Sequence, residues 1–223
     1  MYIVFEGIVG SGKSTQSKKL VEYLRVNPPS PLSQGGTRIW LPYQEGIKPE
    51  VIHVREPGST PIAEDIRTLA QGKEWESETM HPLTNAYLYA AARAQTLHTV
   101  VKPALESGKI VVSDRSFLSS CAYQWEAQWL GIDTILAVNE EAIRGILPDI
   151  IFYMEIDVET SLSRTFDAAW DKWEKMGADF FRSIARGYDK CEKWKPLKDR
   201  FVRIDAKWTQ DEVFQKILEK LKI

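Results

Sequence analysis

Residues 7–14 read Gly-Ile-Val-Gly-Ser-Gly-Lys-Ser, a G-x-x-x-x-G-K-S pattern. This feature constrains the fold most, because the pattern works only between a buried strand and a helix. Both flanks agree. Met1-Tyr2-Ile3-Val4-Phe5 is short, apolar and β-rich. Residues 16–26 carry Leu20, Val21 and Leu24 at helical spacing, with Lys18, Lys19, Glu22 and Arg25 polar. The glycines let the backbone bend so that successive N–H groups converge on phosphate oxygens. The helix opening near Lys13 adds the partial positive charge of its N-terminus. Lys13 brings a full charge to the β- and γ-phosphates, and the Ser14 hydroxyl can ligate Mg²⁺. The pattern implies a nucleoside triphosphate held by Gly7, Gly10, Ser11, Gly12, Lys13, Ser14 and Thr15. It leaves the phosphoryl acceptor open.

Four more apolar runs, at 51–55, 110–113, 150–156 and 201–204, read as strands. Between them lie helical stretches at 62–71, 82–101, 116–130, 132–147, 159–166, 178–194 and 210–223. Five strands separated by helices predict a parallel sheet buried on both faces. With right-handed crossovers this is a three-layer α/β/α sandwich of the P-loop NTPase fold, with its ligand at the carboxyl edge of the sheet. A chain of 223 residues suits one well-buried domain. The Pro/Ser/Gly-rich stretch at 27–49 reads as an inserted loop.

Polar residues ending the apolar runs are the candidates for chemistry. The second run ends in Arg55-Glu56-Pro57-Gly58, where Glu56-Pro57 is a candidate cis bond. The third ends in Asp114-Arg115, a carboxylate placed for the metal side of a phosphate site and equally able to cap the next helix. Tyr89 and Arg93 are helical neighbours; spacing alone makes them an arginine lying over a half-buried tyrosine. His53, alone in a strand, reads as structural.

The formal net charge of −2 argues against a general nucleic-acid binder. No apolar run approaches the ~20 residues that span a bilayer. Cys121 and Cys191 form neither a metal spacing nor a disulfide framework, which fits a cytoplasmic protein. A cleaved leader would remove the phosphate loop, which points the same way.

Taken together, several segments resemble the thymidylate kinase family of nucleoside monophosphate kinases, over nearly the whole chain. They are Phe5-Glu6-Gly7, the Arg55 to Pro61 segment with Ala63-Glu64 and Ile66-Arg67, Tyr89-Ala90-Ala91-Ala92-Arg93-Ala94-Gln95, and Asp114-Arg115 followed by Ser119-Ser120-Cys121-Ala122-Tyr123-Gln124. The phosphate loop is generic; the ordered set of the others is specific. The resemblance implies transfer of the ATP γ-phosphoryl group to dTMP with Mg²⁺ held by Ser14 and Asp114. It implies that Tyr89 stacks on the base and Arg93 binds its edge, revising the bland reading of that pair. It assigns Arg55 and Arg115 to the acceptor phosphate, and Pro57, Ser119, Ser120, Tyr123 and Gln124 to the acceptor pocket. Lys13, Asp114 and Arg115 become catalytic, together with Arg164 and Lys172 of a lid at 164–178. The resemblance further implies a homodimer and a single kinase domain over 1–223.

Three departures from the family pattern stand out. Val9 occupies a loop position where the family usually carries an acid facing the sugar 3′-hydroxyl. Lys172 stands in place of a lid arginine, and lysine lacks the guanidinium fork. Ser116 replaces the tyrosine of Asp-Arg-Tyr. The competing readings are a same-fold kinase for another deoxynucleotide or deoxynucleoside and a non-catalytic nucleotide-binding relative; a nucleic-acid-processing ATPase fits less well.

Overall fold

The computed structural model describes residues 1–27, 50–71, 78–164, 176–197 and 199–223. Strands β1 (Tyr2–Glu6), β2 (Val51–Arg55), β3 (Ile110–Asp114), β4 (Ile150–Glu155) and β5 (Phe201–Asp205) form one sheet in the order β2-β3-β1-β4-β5. Every pairing is parallel, as expected from five apolar runs split by helices. β1 is buried along its whole length and β3 at all but its last residue, which requires cover on both faces.

The helices provide that cover. α1 (Lys13–Val26) packs on β1, β2 and β3. α2 (Pro61–Gln71) packs on α3 (Pro82–Thr96). A π-helical turn, Leu97–Val101, then leads into α4 (Lys102–Glu106). Pro103 therefore sits inside the helical run, where the sequence predicts an end. Proline lacks the N–H that a regular α-ladder needs, and the widened turn before it takes up the mismatch.

The helix expected at 116–130 is instead α5 (Phe117–Ser120) followed by the π-helical turn Cys121–Ala127. α6 (Ile132–Ile143) ends at Arg144, which is left-handed (φ 42°) and followed by Gly145. α7 (Val158–Ser163) follows β4. α8 (Ala178–Glu192) lies on the Cys121–Ala127 turn so closely that a Cβ at Gly187 would stand 2.7 Å from Ala122 Cα. α9 (Gln210–Leu221) begins with a capping box between Thr209 and Glu212 and packs on α1 and β5.

The chain leaves β1 toward β2 on one side of it, and leaves β3 toward β4 on the other. Strand order thus reverses between β1 and β3, and a crevice opens outside their carboxyl ends. Register aligns Asp114 with both Phe5 and Arg55, so Glu6, Arg55 and Asp114 share that edge. His53 bonds Ser17 of α1 through Nε2 at 3.0 Å, a packing role. Cys121 and Cys191 are buried free thiols. No helix among the described residues is long and apolar enough to cross a membrane.

Candidate active site

β1 delivers the chain into the phosphate loop. Gly7 has φ 145°, and a Cβ there would lie 2.8 Å from the Met154 carbonyl oxygen of β4. Gly12, the N-cap of α1, is left-handed (φ 87°). Both positions demand glycine. Lys13 is buried and folds back over the loop, its Nζ donating to the Ile8 carbonyl at 2.6 Å and to Ser11 Oγ at 3.3 Å. Burial, reinforced by the charge of Arg115, brings its pKa down to about 7. The first turn of α1 carries no acid to compete for an anion.

Ser14 Oγ donates to Asp114 Oδ2 at 2.5 Å. Asp114 Oδ1 is buried and has no hydrogen-bond partner among the described residues. A lone carboxylate oxygen beside a hydroxyl suits a hard cation that completes its shell with phosphates and water.

Arg115 follows β3 in the left-handed region (φ 76°), which is rare for a residue with a long side chain. Its Nη1 donates to Ser119 Oγ at 3.1 Å and, at 3.4 Å each, to the Gly7 carbonyl and the Tyr188 hydroxyl. Burial alone would lower its pKa; Tyr123, Tyr188, Glu6 and Asp114 outweigh that and raise it. Behind it stands Glu6, wholly buried. Glu6 Oε1 accepts from the Ser116 amide (2.7 Å) and Oγ (2.8 Å). Oε2 accepts from Ser119 Oγ and the Tyr188 hydroxyl, each at 2.8 Å. Ser119 and Tyr188 therefore accept from Arg115 and donate to Glu6, linking cation and carboxylate.

Arg93 is 2% exposed and paired with the equally buried Glu56, Nε to Oε2 at 2.7 Å. Its Nη1 donates to Ser120 Oγ at 3.3 Å and to Asn139 Oδ1, and Nη2 to the Ser116 carbonyl at 3.2 Å. A guanidinium has five N–H groups. These contacts use four, and one hydrogen of Nη2 has no partner among the described residues. Gln71 Nε2 donates to the Tyr89 hydroxyl at 3.3 Å. Arg55 is half-exposed and pairs with Glu64 at 2.8 Å. Arg67 donates to the Pro57 carbonyl at 2.9 Å, and the Glu56-Pro57 bond is cis.

A cavity of ≈ 240 Å³ opens among these groups. Ser14, Asp114, Arg55, Pro57, Tyr89, Arg93, Arg115, Ser119, Ser120, Tyr123 and Gln124 all line it, as does Val9. Arg164 lies elsewhere: its guanidinium donates to the carbonyls of Ala206 (2.8 Å) and Lys207 (3.1 Å). Lys172 falls outside the described residues, with most of the 164–178 and 27–49 segments.

The thymidylate kinase family model matches residues 42–217, most of the chain. The chain belongs to the thymidylate kinase family. It is 36% identical over 217 residues to the thymidylate kinase of Trichodesmium erythraeum, covering 97% of this chain and 92% of that one. It is 37% identical over 224 residues to the thymidylate kinase of Finegoldia magna, covering 100% and 98%. That second match takes in the phosphate loop, which the family model's span leaves out. The crystal structure of thymidylate kinase from Ehrlichia chaffeensis shares the fold, with a TM-score of 0.72, 26% identity and coverage of 99% and 98%.

In this member of the thymidylate kinase family the cavity also draws on residues to which the sequence assigned no site role. Glu56, Arg67, Gln71 and Phe181 line it. Glu56 carried a usable signal, since an arginine on a packed helix face needs a buried counter-charge. Phe181 carried none, because an aromatic in an amphipathic helix reads as core. Ser116, noted as a departure, caps α5 by accepting from the Leu118 amide and donates to Glu6.

Proposed function

We propose that this chain transfers the γ-phosphoryl group of ATP to dTMP, giving dTDP and ADP. One observation carries the reading. The phosphate-loop residue Ser14 and a set of arginines, Arg55, Arg67, Arg93 and Arg115, open onto the same cavity. A phosphate loop alone serves any nucleoside triphosphatase. A second cationic wall facing it suits a second phosphorylated substrate.

The acceptor phosphate is already anionic, so no strong general base is required. The task is to align two polyanions and to offset charge in the transition state. Lys13 exchanges its Ile8 carbonyl for the β- and γ-phosphates of ATP. Arg115, backed by Ser119, Tyr188 and Glu6, holds the acceptor phosphate with Arg55. Ser14 and Asp114 would hold Mg²⁺, which supplies charge neutralisation between the phosphates. Arg164 and Lys172 belong, by the family resemblance, to the lid over ATP.

The base end supports dTMP. Among the described residues one Nη2 hydrogen of Arg93 and the buried acceptor Gln124 Oε1 have no partner. One donor beside one acceptor matches the C4 carbonyl and N3–H of a thymine imide; cytosine presents the reverse. The test is an acceptor screen with ATP and Mg²⁺ over dTMP, dUMP, dCMP, dGMP and the 3′-deoxy analogue of dTMP. We expect dTMP to be preferred over dCMP and dGMP. We expect the 3′-deoxy analogue to be turned over within about tenfold of dTMP, because Val9 accepts no hydrogen bond from the 3′-hydroxyl. Preference for dCMP or dGMP over dTMP, or turnover of no acceptor, would overturn the reading.

We also propose a homodimer. Its support is the groove between α3 and α6, where Tyr87 is 57% exposed beside Ala90, Ala91, Ala94 and Val138. Sedimentation equilibrium should give twice the chain mass, and Tyr87→Glu should shift it toward the monomer. A wild-type monomer at micromolar concentration would exclude it.

A further inference from the structure

An amide side chain offers a donor or an acceptor according to which way it is turned. With a thymine base in the cavity, the proposal on which the role of Gln124 rests, the orientation of that amide decides which base fits. Its buried neighbours set the orientation.

Asn85, Tyr89 and Arg93 lie four residues apart on α3, a single stripe along one helix face. Tyr89 and Arg93 line the cavity; Asn85 is 1% exposed behind it. Asn85 Nδ2 donates to the Ala70 carbonyl of α2 at 3.1 Å and lies 3.5 Å from Met80 Sδ. A backbone carbonyl can only accept, so α2 settles which end of the Asn85 amide faces it. Asn85 Oδ1 is then turned to Gln124, whose Nε2 donates to it at 3.4 Å. If Gln124 were turned over, two carbonyl oxygens would oppose each other in a buried site, at a cost of about 1–3 kcal/mol. In the orientation that remains, Gln124 Oε1 is the group left without a partner among the described residues.

We infer that Asn85 is a positioning residue for acceptor specificity. It relays the polarity of the Ala70 carbonyl to Gln124, so that the base site offers an acceptor to N3 and favours pyrimidines bearing N3–H over cytosine. Asn85 touches no substrate; it acts through Gln124.

The experiment measures kcat/KM for dTMP, dUMP and dCMP at saturating ATP in wild type and Asn85→Leu. The ratio of dTMP to dCMP should fall at least about tenfold, as a freed amide can turn its NH2 toward N3 of cytosine and leave Arg93 alone to discriminate between the bases. The ratio of dTMP to dUMP should stay constant, because those bases differ only by a methyl group. KM for ATP should not move. Asn85→Asp should keep the wild-type ratio, since a buried protonated carboxyl can donate to Ala70 and accept from Gln124. If Asn85→Leu does not fold, Asn85→Ala serves with the same expectation. A parallel fall for all three acceptors, or an unchanged dTMP to dCMP ratio, overturns the role of Asn85. A wild-type chain with no preference for dTMP over dCMP overturns the functional reading beneath it.

Discussion

Lys13→Ala should lower kcat/KM for phosphoryl transfer by about 10³-fold or more, while the melting temperature moves only a few degrees. The reason is where the ammonium sits. It is buried over the loop with the Ile8 carbonyl and Ser11 Oγ as its only hydrogen-bond partners among the described residues, so phosphate oxygens can replace them without rearranging the fold. Alanine keeps α1 intact because it favours the helix that begins there. Wild type should carry a matching pH signature. Its Lys13 pKa is brought down to about 7, first by burial and then by Arg115. Bound phosphate raises that pKa again. ATP binding therefore takes up a proton above pH 7, and affinity should weaken by up to about tenfold per pH unit there. Calorimetry in buffers of different ionisation enthalpy reads the uptake directly. Near-normal turnover by Lys13→Ala would remove Lys13 from the nucleotide site, and ATP affinity flat between pH 7 and 9 would contradict its lowered pKa.

Arg93→Leu should be costly in a different way. Removing one partner of a buried ion pair strands the other, at about 3–5 kcal/mol. For a chain of this length that lowers the melting temperature by roughly 10 °C. The stranded group is Glu56, whose pKa burial already raises and which Arg93 pulls back down. A carboxyl whose folded pKa lies above its unfolded value loses stability as pH rises through the folded value. In Arg93→Leu the opposing charge is gone, so the destabilisation should deepen from pH 5 to pH 8. Glu56→Gln in the same chain should restore at least half of the loss at pH 8. KM for dTMP should rise while KM for ATP holds. Thermal melts across pH decide the matter: a variant as stable as wild type, or equally unstable at every pH, contradicts the buried pair.

These two residues show how differently a sequence reports on its own site. Lys13 was legible because everything that gives it meaning is local. The glycines, the strand before and the helix after lie within a few residues, and backbone geometry dictates their types. Arg93 was legible only in part. Its spacing from Tyr89 marks a shared helix face, and the family resemblance supplies a role at the base edge. That most of its donors are held by Glu56, Ser120, Asn139 and the Ser116 carbonyl came from packing. Those partners lie 23 to 46 residues away in sequence. The same holds for Glu6, whose carboxylate gathers Ser116, Ser119 and Tyr188 from 110 to 182 residues away. As the last residue of an apolar strand it carries no pattern that announces four hydrogen bonds.

By itself the sequence determined the phosphate loop, the five parallel strands and the edge where Arg55, Asp114 and Arg115 end their runs. Hydrophobic periodicity and turn chemistry act over short spans, and that is what a linear reading detects. Only the tertiary structure decided which buried charges neutralise one another, that Arg164 faces the carbonyls of Ala206 and Lys207, and which way the Gln124 amide is turned. Those outcomes follow from desolvation. A polar group withdrawn from water must find its partner among whatever the packed chain brings near, and sequence distance does not restrict that choice.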